Sequence, residues 1–553
     1  MNFVELLCYF NVCALSDRSP IVTIPALGEV RGSKMISSSR RSFFAFRGIP
    51  YAKSPVGELR FKDPVPVDPW FGNILDASRE ESPCIQYNGM LQKFMGVEDC
   101  LTLNIYTHNL VSDDPRPVMV YIHPGSFFFG SAGATTDLAG PGYFLDRNIV
   151  LVTVQYRLGS FGFLSTEDSE APGNYGLLDQ TMALKWVREH IRSFDGNPNS
   201  VTLFGSSAGG VSVHYHLLSP HSKGLFHRAI SQSGTSLNSW AIKKSVGQYT
   251  RKLANYLNCP QSNSNELLAC LREKPARQVV QFQKKIEIMQ VFPVGFGPRV
   301  DVERESPFLP AKPRILMESK QINSVPVIIG TNRNEGGSMI RRLLSRNGRL
   351  LNKFVENPVK YFSYMTGMES DDDHRDRQNL KILNEILTRY YSIGDPRQPH
   401  QLNELGDLFT DYMFHQDIDH SAQLLSKYSE QPIYYYFYNH SLHISINRFM
   451  GISTEVDLGS GHASELLLMF SNVFFPRLHS LKDLKVSNML LDLWTSFASD
   501  GVPRSDFLPS DWIPTTESQT RYLRIEAAHP SMVNDSLPFH ERLQFWRDKL
   551  NRI

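Results

Sequence analysis

The sequence predicts an α/β protein with a central, mostly parallel β-sheet, helices on both of its faces and a helical insertion. Short β-branched and aromatic runs recur along the chain: VMVYIH (118–123), IVLVTVQYR (149–157), SVTLFG (200–205), RAISQSG (228–234), PVIIGT (326–331) and IYYYFYNH (433–440). Their apolar character is nearly continuous, as strands covered on both faces require. Between the second and third runs lies DQTMALKWVREHIRSF, where Met182, Leu184, Trp186 and Ile191 recur at roughly helical spacing while Lys185, Arg188 and Glu189 take other positions. Strand, helix and strand in that order form a βαβ crossover, which makes neighbouring strands parallel.

The first stretch, MNFVELLCYFNVCALS, is largely apolar and ends in small residues at Ala14 and Ser16, so residues 1–16 are expected to be a secretory signal. The remainder, 17–553, reads as one domain with a helical insertion around 340–430, a region rich in charge and helix formers. Its DDDHRDR patch (371–377) is expected to be a solvated turn. With 41% hydrophobic and 20% charged residues, the chain of 553 residues can bury a large core. A net charge of +1 creates no field that would gather nucleic acid. No later run is long and apolar enough to anchor the chain in a membrane.

Removing the expected signal also removes Cys8 and Cys13 and leaves an even set, Cys84, Cys100, Cys259 and Cys270. Three pairings are possible. Cys84 with Cys100 and Cys259 with Cys270 close the shortest loops. Asn439 and Asn534 begin Asn-x-Ser sequons and are candidate glycosylation sites of a secreted, extracellular glycoprotein.

The candidate nucleophile is Ser207. FGSSAGG places Gly205, Ser207 and Gly209 in a G-x-S-x-G spacing at the end of a strand-like run and before AGGVSVHYHLL, a plausible helix start. Glycines let such a turn be tight and let the helix pack closely. Alone, the spacing is a weak signal. A serine hydroxyl needs a base to take its proton, and the base needs an acid to hold its tautomer. Glu335, ending PVIIGTNRNE, and His462, in the glycine-rich GSGHASE, lie downstream in a suitable order.

Acyl transfer also places negative charge on the former carbonyl oxygen. HPGSFFFG follows the strand-like 118–123, so the amides of Gly125 and Ser126, with that of Ala208, are the expected oxyanion donors. Pro124 has no N–H to give. Phe127, Phe128 and Phe129 favour an apolar acyl or alcohol group, unless they pack the core.

Taken together, FRGIPYAKSPVGELRF (46–61), EDCLTLNIY (98–106), NYGLLDQTMALKWV (174–187), FGSSAGG, GTNRNEG (330–336) and GSGHASE resemble, in order and over nearly the whole chain, the type-B carboxylesterases, the family of cholinesterases and insect juvenile hormone esterases. The resemblance implies the α/β-hydrolase fold, a Ser207, Glu335 and His462 triad, and disulfides Cys84 with Cys100 and Cys259 with Cys270. It also implies ion pairs of Arg47 with Glu98 and Arg157 with Asp179, and a Ser233 hydroxyl near the acid.

Three departures stand out. Residue 206 is Ser where the family usually has Glu or Gln, which argues against juvenile hormone as the ester. The oxyanion loop reads H-P-G-S where the family favours H-G-G-G, which could strain Ser126 by about 1 to 3 kcal/mol. The loop between Cys84 and Cys100 contains no Trp, so choline esters are poor candidates.

The expected function is therefore hydrolysis of a largely apolar small-molecule ester through an acyl-enzyme on Ser207. The competing class is a secreted, non-catalytic adhesion relative. A metal enzyme is weaker, resting on the H-x-x-H of His440 and His443. Neither cofactor nor metal is needed for the proposed hydrolysis.

Overall fold

A computed structural model describes residues 19–550, except 89–91, 287–293, 346–347, 367–380, 388–394, 396, 444–457, 476 and 479. The expected signal (1–16) and the charged patch at 371–377 lie outside the described residues. In chain order the strands are β1 (Ile21–Ile24), β2 (Gly28–Arg31), β3 (Ser33–Ile36), β4 (Ser42–Pro50), β5 (Ile74–Asp76), β6 (Gln86–Asn88), β7 (Lys93–Met95) and β8 (Thr102–Thr107). They continue as β9 (Arg116–Ile122), β10 (Val150–Val154), β11 (Gly196–Ser206), β12 (Arg228–Gln232), β13 (Val327–Asn332), β14 (Ile433–Tyr438), β15 (Tyr522–Ile525) and β16 (Ser531–Val533).

Eleven of these form one sheet in the order β16-β15-β14-β13-β12-β11-β9-β10-β8-β4-β3. From β10 to β15 every neighbouring pair is parallel, and only the two margins are antiparallel. The six runs expected to be strands are β9 to β14. The crossover helix expected after β10 is α1 (Tyr175–His190), continued by a 3-10 turn at Ile191–Phe194.

Alternation along β14 shows why its run is aromatic throughout. Tyr435 and Phe437 enter the core on one face, whereas Tyr434, Tyr436 and Tyr438 enter a second core on the other. Because side chains alternate across a strand, a strand covered on both faces has no polar positions to spend. Helix α2 (Ala208–Leu218) follows β11 directly. Between β13 and β14 the described residues include helices α3 (Gly337–Leu344), α4 (Arg349–Glu356), α5 (Pro358–Thr366), α6 (Pro399–Thr410) and α7 (Gln416–Tyr428). A π-helical turn, Asp411–His415, joins the last two.

Cys84 is bonded to Cys100 and Cys259 to Cys270. Arg157 meets Asp179 at 2.6 Å with both side chains buried. The other implied ion pair is corrected by the structure, because Glu98 is taken by Arg60 and not by Arg47. Arg60 Nε and Nη2 donate to Glu98 at 2.8 and 2.7 Å, and its Nη1 reaches the carbonyls of Leu271, Arg272 and Lys274. The register of β4 shifts between Phe46 and Ile49, and the Arg47 guanidinium is directed instead to Ser33 Oγ and the Ser78 carbonyl.

Asp179 gives both carboxylate oxygens to Arg157 and also accepts its backbone N–H at 3.0 Å. Removing one partner of such a pair strands the other charge in the core. D179A should lose about 3 to 5 kcal/mol of stability in denaturant unfolding, whereas the double variant R157M/D179L, which removes both charges, should lose clearly less.

Candidate active site

Strand β11 ends at Ser206, and Ser207 follows with φ 58° and ψ −124°, in the strained region expected of a sharp strand-to-helix turn. Space, more than flexibility, fixes the glycines around it. A Cβ on Gly209 would lie 2.0 Å from the Ile122 carbonyl oxygen, and one on Gly205 would lie 2.6 Å from the Gly209 backbone. The turn is pinned by Ser207 N donating to Gln232 O at 2.8 Å and by Val211 N donating to Ser207 O at 2.8 Å. Ala208 is the first residue of α2, where N–H groups have no carbonyl of their own helix to bond.

Ile122 ends β9, and the chain runs from it into the candidate oxyanion loop. Gly125 has φ 119°, and a Cβ there would meet the Phe129 carbonyl at 1.8 Å. Ser126 adopts φ 57° and Phe127 φ 62°, so the loop does hold a serine in left-handed geometry, as its sequence led one to expect. The strain is held by Phe128 and Phe129 N–H groups donating to Gly125 O, by Gly159 N donating to Phe127 O, and by Tyr156 Oη donating to His123 O. Gln86 closes the loop's exit with two bonds to the Gly130 backbone, each 2.8 Å. Gln86 lies two residues past Cys84, so the disulfide-bounded loop supplies this clamp. Phe127 and Phe128 are both buried, Phe127 against Phe163. They pack the core.

Glu335, three residues beyond β13, is fully buried. Its Oε1 accepts from Asn332 N at 2.7 Å and Thr331 Oγ1 at 2.9 Å, and its Oε2 meets His462 Nδ1 at 2.6 Å. Burial alone would raise its pKa, but the imidazole and these donors outweigh burial and hold it below the usual glutamate value. Ser233 lies beside the carboxylate and favours its charged form, although its hydroxyl makes no hydrogen bond of good geometry.

The loop carrying His462 is fastened to β13 by Asn332 Nδ2 donating to Gly461 O at 2.9 Å and by Asn334 N donating to Ser460 O at 3.1 Å. The Phe414 ring, from the π-helical turn, lies 4.7 Å from the imidazole, and Trp240 packs behind it. Neither Ser207 Oγ nor His462 Nε2 is hydrogen-bonded, to the other or to any further described residue. Hydrogen bonds between a nucleophile and its base are often long without substrate and tighten when it binds.

Glu465 is the residue that sequence reading missed. It is buried, its Oε1 accepts from Ser206 Oγ at 3.4 Å and Gln232 Nε2 at 3.2 Å, and its Oε2 accepts from Asn332 Nδ2 at 2.6 Å. One carboxylate thus ties the elbow, the strand carrying Glu335 and the loop carrying His462. Burial, with the neighbouring Glu335 charge, raises its pKa. The available signal was its place in GSGHASE, three residues past His462. His440 and His443 do not converge as metal ligands. His440 Nε2 meets Asp483 at 2.7 Å, and no group of three potential ligands occurs among the described residues.

The chain matches the Carboxylesterase family over residues 18–546. It is 36% identical to a carboxylic ester hydrolase of Bombus ignitus, covering 98% of this chain and 96% of that one. It is 34% identical to the juvenile hormone esterase of Tribolium castaneum, over 90% of this chain and 86% of the relative. The crystal structure of Manduca sexta juvenile hormone esterase, with OTFP covalently attached, superposes with a TM-score of 0.84 at 27% identity, covering 97% of this chain and all of that one.

Asp137 is a further unusual acid close to the loop's exit. Its residue is partly exposed, but its carboxyl group is enclosed, accepting from Ser131 N at 2.8 Å, and burial raises its pKa to about 6. An acid whose folded pKa exceeds its unfolded value loses stability as pH rises between the two. The wild-type protein should therefore lose up to about 3 kcal/mol through this group between pH ~4 and ~7. The stability of D137N relative to wild type should rise by that amount over the same interval in parallel denaturant titrations.

Proposed function

The chain belongs to the carboxylesterase family and is a carboxylic ester hydrolase. From that premise we propose that it is a secreted serine esterase working through an acyl-enzyme on Ser207, with His462 as base and Glu335 as the acid that orients it. The observation that carries this reading is the 2.6 Å contact of His462 Nδ1 with a fully buried Glu335. It leaves Nε2 to face substrate chemistry.

His462 Nε2 takes the Ser207 proton as Oγ bonds to the ester carbonyl carbon. The carbonyl oxygen becomes an anion held by the amides of Gly125, Ser126 and Ala208. Collapse breaks the bond to the alkoxide, which leaves as alcohol with the proton from His462. Water, deprotonated by the same imidazole, then attacks the acyl carbon, and the acid departs with Ser207 restored. Phe414 beside the imidazole, with Trp240 packed behind it, suits an apolar acyl or alcohol group. The non-catalytic alternative is not favoured, since Glu335 and His462 are paired and the relatives are named esterases.

Hydrolysis of p-nitrophenyl esters of graded acyl length tests the reading. S207A, secreted and folded, should lose turnover by about four orders of magnitude or more together with organophosphate labelling. Retained turnover in S207A sinks the assignment.

No helix among the described residues is long and apolar enough to cross a membrane. If the protein is exported, its two sequons should differ. Asn534 is exposed, whereas Asn439 Nδ2, the atom a glycan would occupy, donates to Glu526 at 2.8 Å and Asn439 Oδ1 accepts from Arg333. Mass spectrometry of glycopeptides from the secreted protein should find sugar on Asn534 and little on Asn439.

A further inference from the structure

We propose that a second cleft, lined by none of Ser207, Glu335 or His462, binds an amphipathic carboxylate, a monocarboxylic acid with an apolar chain. The cleft encloses about 870 Å³ of empty space, open solvent at its mouth included. It runs between the β3–β4 margin of the sheet, the segment following the oxyanion loop, and the chain beyond His462. Phe43, Tyr143, Leu467, Val473 and Phe475 give it an apolar wall.

Arg47 and Arg477 line it with one acid, Glu80. Glu80 is occupied: its carboxylate accepts from the N–H groups of Ala134 and Thr135 and from the Thr135 hydroxyl. Arg47 is not. Its Nη2 donates to Ser33 and to the Ser78 carbonyl, both neutral, while its Nε is buried and has no hydrogen-bond partner. The acid that the sequence suggested for it, Glu98, belongs to Arg60.

A guanidinium bonded only to neutral oxygens, with an enclosed N–H left over, is a costly arrangement. It becomes favourable when an anionic group in the cleft lies beside the guanidinium and compensates its charge. Arg477, exposed at the mouth, adds a second positive charge. Apolar walls on one side and this cation on the other select a ligand with a carboxylate head and a hydrocarbon body. This binding does not depend on the chemistry assigned to Ser207, although the acid released by ester hydrolysis belongs to the same chemical class.

Decanoate is the probe, titrated calorimetrically into full-length S207A protein, with decanol as the uncharged control. Decanoate should bind about tenfold or more tightly than decanol, R47M should abolish that preference, and R47K should restore part of it. V473D, which leaves the Arg47 bonds untouched and puts a negative charge on the apolar wall, should weaken decanoate binding about tenfold or more. If R47M fails a thermal unfolding check, V473D and the decanol comparison decide alone. Equal affinity for decanoate and decanol overturns the proposal. So does decanoate binding that ignores both substitutions and is displaced by an ester substrate, since that binding belongs to the Ser207 site.

Discussion

The candidate site depends on one steric constraint: the carbonyl oxygen of Ile122 lies where a side chain at residue 209 would be, 2.0 Å from the place of its Cβ. Adjacent parallel strands end at this point, β9 running into the candidate oxyanion loop and β11 into the turn at Ser207. With glycine at 205 and 209, the start of α2 can rest against the end of β9. The amides expected to hold an oxyanion and the hydroxyl expected to attack thereby belong to one packed unit. A methyl group at either position would separate them by more than a hydrogen bond tolerates.

Charge is managed around that unit by pairing. Glu335 and Glu465 are both buried, yet their acidities move in opposite directions. Glu335 faces an imidazole and is held ionised, whereas Glu465 receives only neutral donors beside another carboxylate, and its pKa rises. The first arrangement suits orientation of a base. The second suits a structural tie, and Ser206 reaches it through its hydroxyl.

The strands and the turn at Ser207 were readable because their signals are local. Continuous apolar runs, a helix-period segment and glycines flanking a serine are each imposed by neighbours in sequence. Glu335 and His462 became readable only through the order of motifs along the chain. Gln86 and Asp137 had no such signal, since each is a single polar residue committed to loop backbone, and Glu465 had only its place in GSGHASE, its partners lying more than a hundred positions away. The exchange of Arg47 for Arg60 has the same origin. Both arginines lie in one motif, 13 positions apart, and only the register shift in β4 and the carbonyls at 271–274 determine which one reaches Glu98.

That exchange also separates two uses of a cation in one fold. Arg60 has a carboxylate and three carbonyls and is fully committed to fastening the segment at 271–274. Arg47, offered only a serine and a carbonyl, has no carboxylate among its hydrogen-bond partners and lines a cleft. A cation needed for stability alone would be expected to find a carboxylate, because an unmatched guanidinium beside apolar side chains lowers the stability of the fold. Glu80 stands in the same cleft but spends its oxygens on the backbone at 134–135, the segment that leads away from the candidate oxyanion loop. Acid and base in this cleft are therefore not partners: one shapes the loop, and the other is left to a ligand.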